Sequence, residues 1–322
     1  MNKNMLHKGQ YLIGAIIATM MTVSCEYKDF GDADDTIQRI PVQLAFDYSS
    51  VDSLPEKMQV MFYRGETGSY SRYDIGRAPL SNPETIYITP GEYQVVAWNN
   101  DAIHVYFQGY DARKNISAKT PEFNPHNSPG LQKIVDSLFN GQEVLDYPDY
   151  MVHSYKNNVT IDLLSPKNII LNADSMVVTV DVHIGGIAGL EIVRMVKGAI
   201  NNVAGRRYMA WPNKATDPVT VLFEARSNAV DSTVTARFWV FGLEPEELQN
   251  TNHKAALFFW TNRGKVFVDL DVTDFFRLCG RENSHLTIDI PDLGIDIRDY
   301  LPKAGLDVEI DEWDNEYKPI GF

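Results

Sequence analysis

The stretch SMVVTVDVHI, residues 175–184, decides the class of this fold. Met176, Val178, Val180 and Val182 fall at every second position, with Thr179, Asp181 and His183 between them. Successive side chains of a strand point to opposite faces, so this spacing describes a strand with one dry and one wet face. Working outward, the same period recurs in both directions. Upstream, Val42, Leu44, Phe46 and Tyr48 share a face, and Met58, Val60 and Phe62 repeat the pattern. Residues 85–89 form another strand, and Tyr93, Val95 and Ala97 alternate after the turn residues Pro90 and Gly91. Residues 103–108 and 158–164 are read as strands too, the second with Val159, Ile161 and Leu163 inward. Downstream, residues 190–200, 219–224, 232–241, 255–261, 265–272 and 284–290 continue the series, and Asn262-Arg263-Gly264 is a hairpin signal.

One helix interrupts these strands. Ser128 supplies an N-cap and Pro129 a first-turn residue; Leu131, Ile134, Val135 and Leu138 keep helical spacing, and Gly141 ends it. It is expected to lie across the first sheet, while residues 273–278 form a short helical or irregular turn. Strands at this spacing with one short helical insert predict an all-β chain of two tandem antiparallel β-sandwich domains. The expected boundaries are 37–165 and 166–322, divided at the turn residues Ser165-Pro166-Lys167-Asn168. In the tail, Ile295, Ile297, Val308 and Ile310 alternate with acids, either finishing the second sheet or forming an extended arm.

Residues 1–24 read as an export signal. Lys3 and Lys8 give a basic head, and no charge interrupts Gly9 to Ser24, a run too short for a membrane span of ~20 residues. Thr22-Val23-Ser24-Cys25 looks like a loose lipobox, which would place a diacylglyceryl group on the Cys25 sulfur. Residues 25–36 follow as an acidic tether. Membrane lipid is therefore the first partner expected, held through acylated Cys25; outer-membrane location and outward display are expected from the acidic tether together with the family resemblance described below.

Lys plus Arg number 29 against 43 Asp plus Glu, a net charge of −14, and loss of Lys3 and Lys8 with the signal makes the chain more acidic still. Nucleic acid is excluded as a partner, since no basic cluster is present to displace its counterions. Cys25 and Cys279 are the two cysteines, so lipidation of the first leaves no internal disulfide. Cys279, beside Phe275, Phe276 and Leu278, reads as a small buried hydrophobe.

Catalytic and cofactor patterns do not assemble. There is no H-E-x-x-H, C-x-x-C or G-x-S-x-G, and Gly186 and Gly189 make only half of a dinucleotide fingerprint in a strand context. No catalysis, cofactor or metal is expected. Asp269, Asp271, Asp289, Asp292, Asp296 and Asp299 are either a solvated acidic face or a cation site. Tyr87, Tyr93, Trp98, Tyr106 and Tyr110 are either cross-strand core pairs or a stacking platform for sugar rings.

Taken together, the lipobox, the β domains, GEYQVVAWNND at 91–101, Phe107-Gln108-Gly109, VDLDVTD at 268–274 and VEIDEW at 308–313 resemble a Bacteroidetes family of uncharacterised lipoproteins. That family is similar in turn to the fimbrillin-type anchor and minor subunits of type V pili. The resemblance implies two transthyretin-like sandwiches, delivery as a lipoprotein, and assembly with fimbrial subunits by strand exchange. It also implies a basic-residue cut that removes the leader in stalk subunits, for which Arg39 is the candidate. An anchor keeps its leader, and the short tether and the prolines of the tail favour that role. The alternative is a lipid-tethered adhesin that captures glycan or host protein.

Overall fold

The computed structural model describes residues 38–65, 69–123, 139, 141–164, 167–211, 214–243, 245, 251–279 and 284–301. The signal, Cys25, the tether, the expected helix of 128–141 apart from Phe139 and Gly141, and the tail beyond Leu301 lie outside these residues. The strands run β1 Ile40–Ser50, β2 Lys57–Tyr63, β3 Tyr70–Gly76, β4 Glu84–Ile88, β5 Gly91–Asn99, β6 Tyr106–Gln108, β7 Ser117–Lys119, β8 Val144–Asp146, β9 Val152–Ile161 and β10 Lys167–Ser175. They continue as β11 Val178–Ile184, β12 Ile187–Ala188, β13 Val193–Tyr208, β14 Ala215–Asn228, β15 Thr233–Val240, β16 Lys254–Thr261, β17 Lys265–Asp271, β18 His285–Ile290 and β19 Ile295–Asp296. A short helix, α1, spans Thr273–Cys279.

Seven strands form the first sheet in the order β3-β2-β5-β9-β10-β1-β4. Residues from its central and outer strands, among them Val42, Leu44 and Phe46 of β1, Val60 of β2, Ile88 of β4, Val95 of β5 and Leu171 of β10, pack into one buried cluster. A sheet this wide gathers one face into a single core only by curling around it. Its two edges are tied by side chains: the Tyr73 hydroxyl donates to the Tyr87 carbonyl at 2.7 Å, and the Gly76 N–H donates to Glu84 Oε2 at 3.0 Å. Such ties shield edge strands that would otherwise offer an unpaired backbone to other chains.

The second sheet runs β17-β16-β13-β14-β15-β11-β18, and β6, β7 and β8 attach to it through β13 and β14. The expected alternation holds in β11, where Val178, Val180 and Val182 enter the core with Phe223, Phe238 and Val268. The hairpin at 262–264 joins β16 to β17, with the Thr261 N–H donating to the Gly264 carbonyl at 2.9 Å.

The all-β class is borne out. Most neighbours pair antiparallel, yet β1·β10, β8·β14, β11·β18 and β12·β19 are parallel. Apolar alternation is the same in both pairings, so the sequence carries no sign of it. The boundary at 165/166 needs correction: β10 completes the first sheet, and β6, β7 and β8 belong to the second. Lys167 and Asn168, read as part of the boundary turn, are the first residues of β10 and pair with Val42 and Gln43 of β1. The chain passes between sheets at Met176 and Val177, and one compact unit begins at Ile40.

Those two residues sit in a third core between the sheets. Met61, Tyr63, Val96 and Trp98 from the first sheet meet Ile116, Ala118, Ala204, Met209 and Phe241 there. Trp98 is fully buried and stacks on Phe107 with centroids 5.2 Å apart. Phe139, within the expected insert, and Phe123 and Val144, on either side of it, pack with Leu222, Ala256 and Phe258 of the second sheet.

Within the second core, Gly198 faces Phe223 across the β13–β14 pair, and a Cβ there would fall in the Phe223 ring. That ring stacks on Phe238 at 4.1 Å and cannot retreat. Gly198→Ala is expected to cost about 1–3 kcal/mol through overpacking. Urea unfolding of Gly198→Ala with and without Phe223→Leu checks this; the second substitution should recover part of the loss, and full additivity would contradict the account.

Candidate functional site

The described chain enters the first sheet at a defined place. Gln38 and Arg39 are exposed, and the next residue, Ile40, opens β1 opposite Ile88 of β4. Register collects several other termini at this end: β10 begins where Lys167 meets Val42, and β9 ends where Ile161 meets Gly91 of β5. The β2–β3 turn lies here too, since Tyr63 is opposite both Gln94 and Tyr70. Arg64 joins two of these turns, donating from Nη2 to the Pro90 carbonyl at 3.0 Å and from Nε to the Tyr93 hydroxyl at 3.1 Å.

Strand β1 is no detachable flap. It lies between β10 and β4, and Val42, Leu44 and Phe46 are fully buried. A chain cut after Arg39 keeps all three. Arg39 itself is exposed and directly precedes β1.

The other candidates disperse. Of the five aromatics considered as a sugar platform, Tyr93 is in the first core, Trp98 is buried in the core between sheets with the partly buried Tyr110 beside it at 6.3 Å, and Tyr87 and Tyr106 are exposed on different sheets. Three of the six acids are engaged locally. Asp271 accepts the Thr273 N–H at 2.9 Å, Asp289 pairs with His183 at 2.8 Å, and Asp296 pairs with Arg298 at 2.6 Å. Among the described residues no group of three metal-ligating side chains is gathered. Cys279 is half-buried against the second core, with Sγ 3.1 Å from the His285 carbonyl.

Residues 24–224 match the family described as "Domain of unknown function (DUF5119)". The chain belongs to this family. A protein of Bacteroides ovatus named "Putative fimbrium anchoring subunit Fim4B" is similar to this DUF5119 chain, 24% identical over 227 residues, which is 69% of this chain and 62% of that relative's length. A crystal structure of a putative adhesin from Bacteroides ovatus is similar with a TM-score of 0.58 at 18% identity, covering 84% of this chain and 98% of that one. The fimbrial anchor protein Mfa2 from Porphyromonas gingivalis gives a TM-score of 0.47 at 14% identity over 77% of this chain and 90% of that one. The likeness to the adhesin structure is one of fold.

Sequence reasoning misplaced one residue of the chain-entry end and missed a buried polar pair elsewhere. Leu163, read as inward, lies beyond the end of β9 and is exposed. His153 and Arg207 lie at the meeting of the sheets: Arg207 donates to the Met176 carbonyl at 2.7 Å and the Phe241 carbonyl at 3.2 Å. Burial, with the nearby Arg207 charge, pushes His153 down to about 4. No periodicity signals such a pair, because a histidine in a strand reads as a wet-face residue.

A neutral histidine buried this way makes stability fall with acid. Its folded value lies below the ordinary 6.5, so between pH 6.5 and 4 the unfolded chain takes up the proton first. From pH 7 to pH 4.5 this group alone should remove about 2–3 kcal/mol. Urea titrations of wild type and His153→Gln at both pH values test it: the variant should lose less stability on acidification, and equal losses would refute the assignment.

Proposed function

We propose that this DUF5119 chain is a surface lipoprotein of the outer membrane that anchors, or contributes a minor subunit to, a fimbria-like assembly, with no catalysis of its own. One observation supports this reading: β1 begins at Ile40, directly after an exposed Arg39, and is fixed inside the first sheet between β10 and β4, so a tether from Cys25 would join the folded body at that point. The likeness to a protein named as a fimbrium anchoring subunit supports the same role.

In this reading the lipid on Cys25 holds the chain to the membrane, and Arg39 is the bond whose cleavage would convert a base into a building block. Fimbrial subunits join by strand addition at an edge of the second sheet, β17 or β18, each of which pairs on one side only among the described residues. An added strand satisfies the open backbone groups and covers apolar side chains together. The alternative of a glycan-capturing adhesin has less support, since the aromatics it needs are split between two cores and two surfaces.

The test is Cys25→Ala expressed in a fimbriated host strain that lacks its own copy. The chain should leave the membrane fraction, and fimbria-like polymers should appear in the medium. Polymers still attached to cells, with the variant chain soluble, would refute the anchoring role.

A further inference from the structure

The β9–β10 connection carries Leu163 and Leu164, 57% and 94% exposed, the one pair of consecutive exposed large apolar side chains among the described residues. A single exposed leucine is ordinary on a protein surface. This pair is displayed by a built turn: β9 ends at Ile161, and Asp162 Oδ1 accepts the Leu164 N–H at 3.0 Å. The turn belongs to the chain-entry end of the first sheet, because Ile161 is opposite Gly91, Lys167 is opposite Val42 and Ile40 is opposite Ile88. Tyr70 and Tyr87, 44% and 59% exposed, are at the same end, opposite Tyr63 and Pro41 respectively. Tyrosine has the apolar body and polar tip that suit a membrane–water boundary.

We propose that this end of the first sheet seats on the bilayer, with Leu163 and Leu164 entering the interfacial layer and Tyr70 and Tyr87 at its rim. The inference rests on the anchored reading above, in which Cys25 carries lipid. Phospholipid is the occupant for two reasons. Cys25 lies at most about 50 Å of fully extended chain from Ile40, at roughly 3.3–3.6 Å per residue, so the chain-entry end is held within that distance of the bilayer. At such confinement a weak apolar contact recurs at high effective concentration. A stable protein partner, by contrast, needs an interface of about 1,000 Å² or more, far beyond what two leucines offer.

The experiment uses the acylated mature chain in vesicles of phosphatidylethanolamine and phosphatidylglycerol, in a Cys279→Ser background. An environment-sensitive nitrobenzoxadiazole label is placed at Leu164→Cys or, as a control, at Val230→Cys, an exposed turn position of the second sheet. The label at 164 should shift to the blue and be quenched several-fold more by spin-labelled lipid than the label at 230. Adding Leu163→Asp should abolish the difference while flotation of the chain with the vesicles persists. No quenching at 164 on a chain that still floats, or equal quenching at both positions, overturns the seating and leaves the anchor intact. A mature chain whose mass lacks the acyl group overturns both.

Discussion

The burial of Val42, Leu44 and Phe46 on a strand that starts one residue after Arg39 is the constraint on which the rest depends. Each fully buried side chain of this size is worth about 1.5–3 kcal/mol, so the three together contribute roughly 5–9 kcal/mol. That approaches the whole stability of an ordinary folded unit, about 5–15 kcal/mol. Strand β1 also supplies the backbone partners of both β10 and β4. The described fold cannot release β1 and survive, so Ile40 and the strand it opens belong to the folded body.

A second constraint makes the two sheets interdependent. Trp98, Met176, Phe241 and their neighbours close a core that belongs to neither sheet alone, and β6, β7 and β8 cross from the first half of the chain to complete the second sheet. Arg207 satisfies the Met176 and Phe241 carbonyls at that crossing. This joint makes the two sheets one mechanical unit.

The sequence was most informative where one face is wet. The alternation in β1 and β11 placed the right residues inside, and it gave one buried face of β2 and β5 but missed that Met61, Tyr63, Val96 and Trp98 bury the other; Asn262-Arg263-Gly264 gave the β16–β17 hairpin. Strand β3 escaped notice because YSRYDIG, held by pairing with β2 and by the Tyr73 and Gly76 bonds, buries only Ile75. Partner choice was illegible for the parallel pairs, and so was the continuation of the first sheet into β10, because a turn between strands of one sheet and a linker between domains use the same residue types. Leu163 was read inward by extending the period of β9 past its end. That residue instead lies exposed at the end of the first sheet where β1 begins.

The measurement that tests the central claim most directly is intact-mass and N-terminal peptide analysis of the protein isolated from its native membrane. The account predicts a chain that begins at a diacylglyceryl-modified Cys25 and continues uncut through Arg39 into β1. A mature chain that begins at Ile40, with no acyl mass, would contradict it and make this protein a polymerising subunit rather than a base.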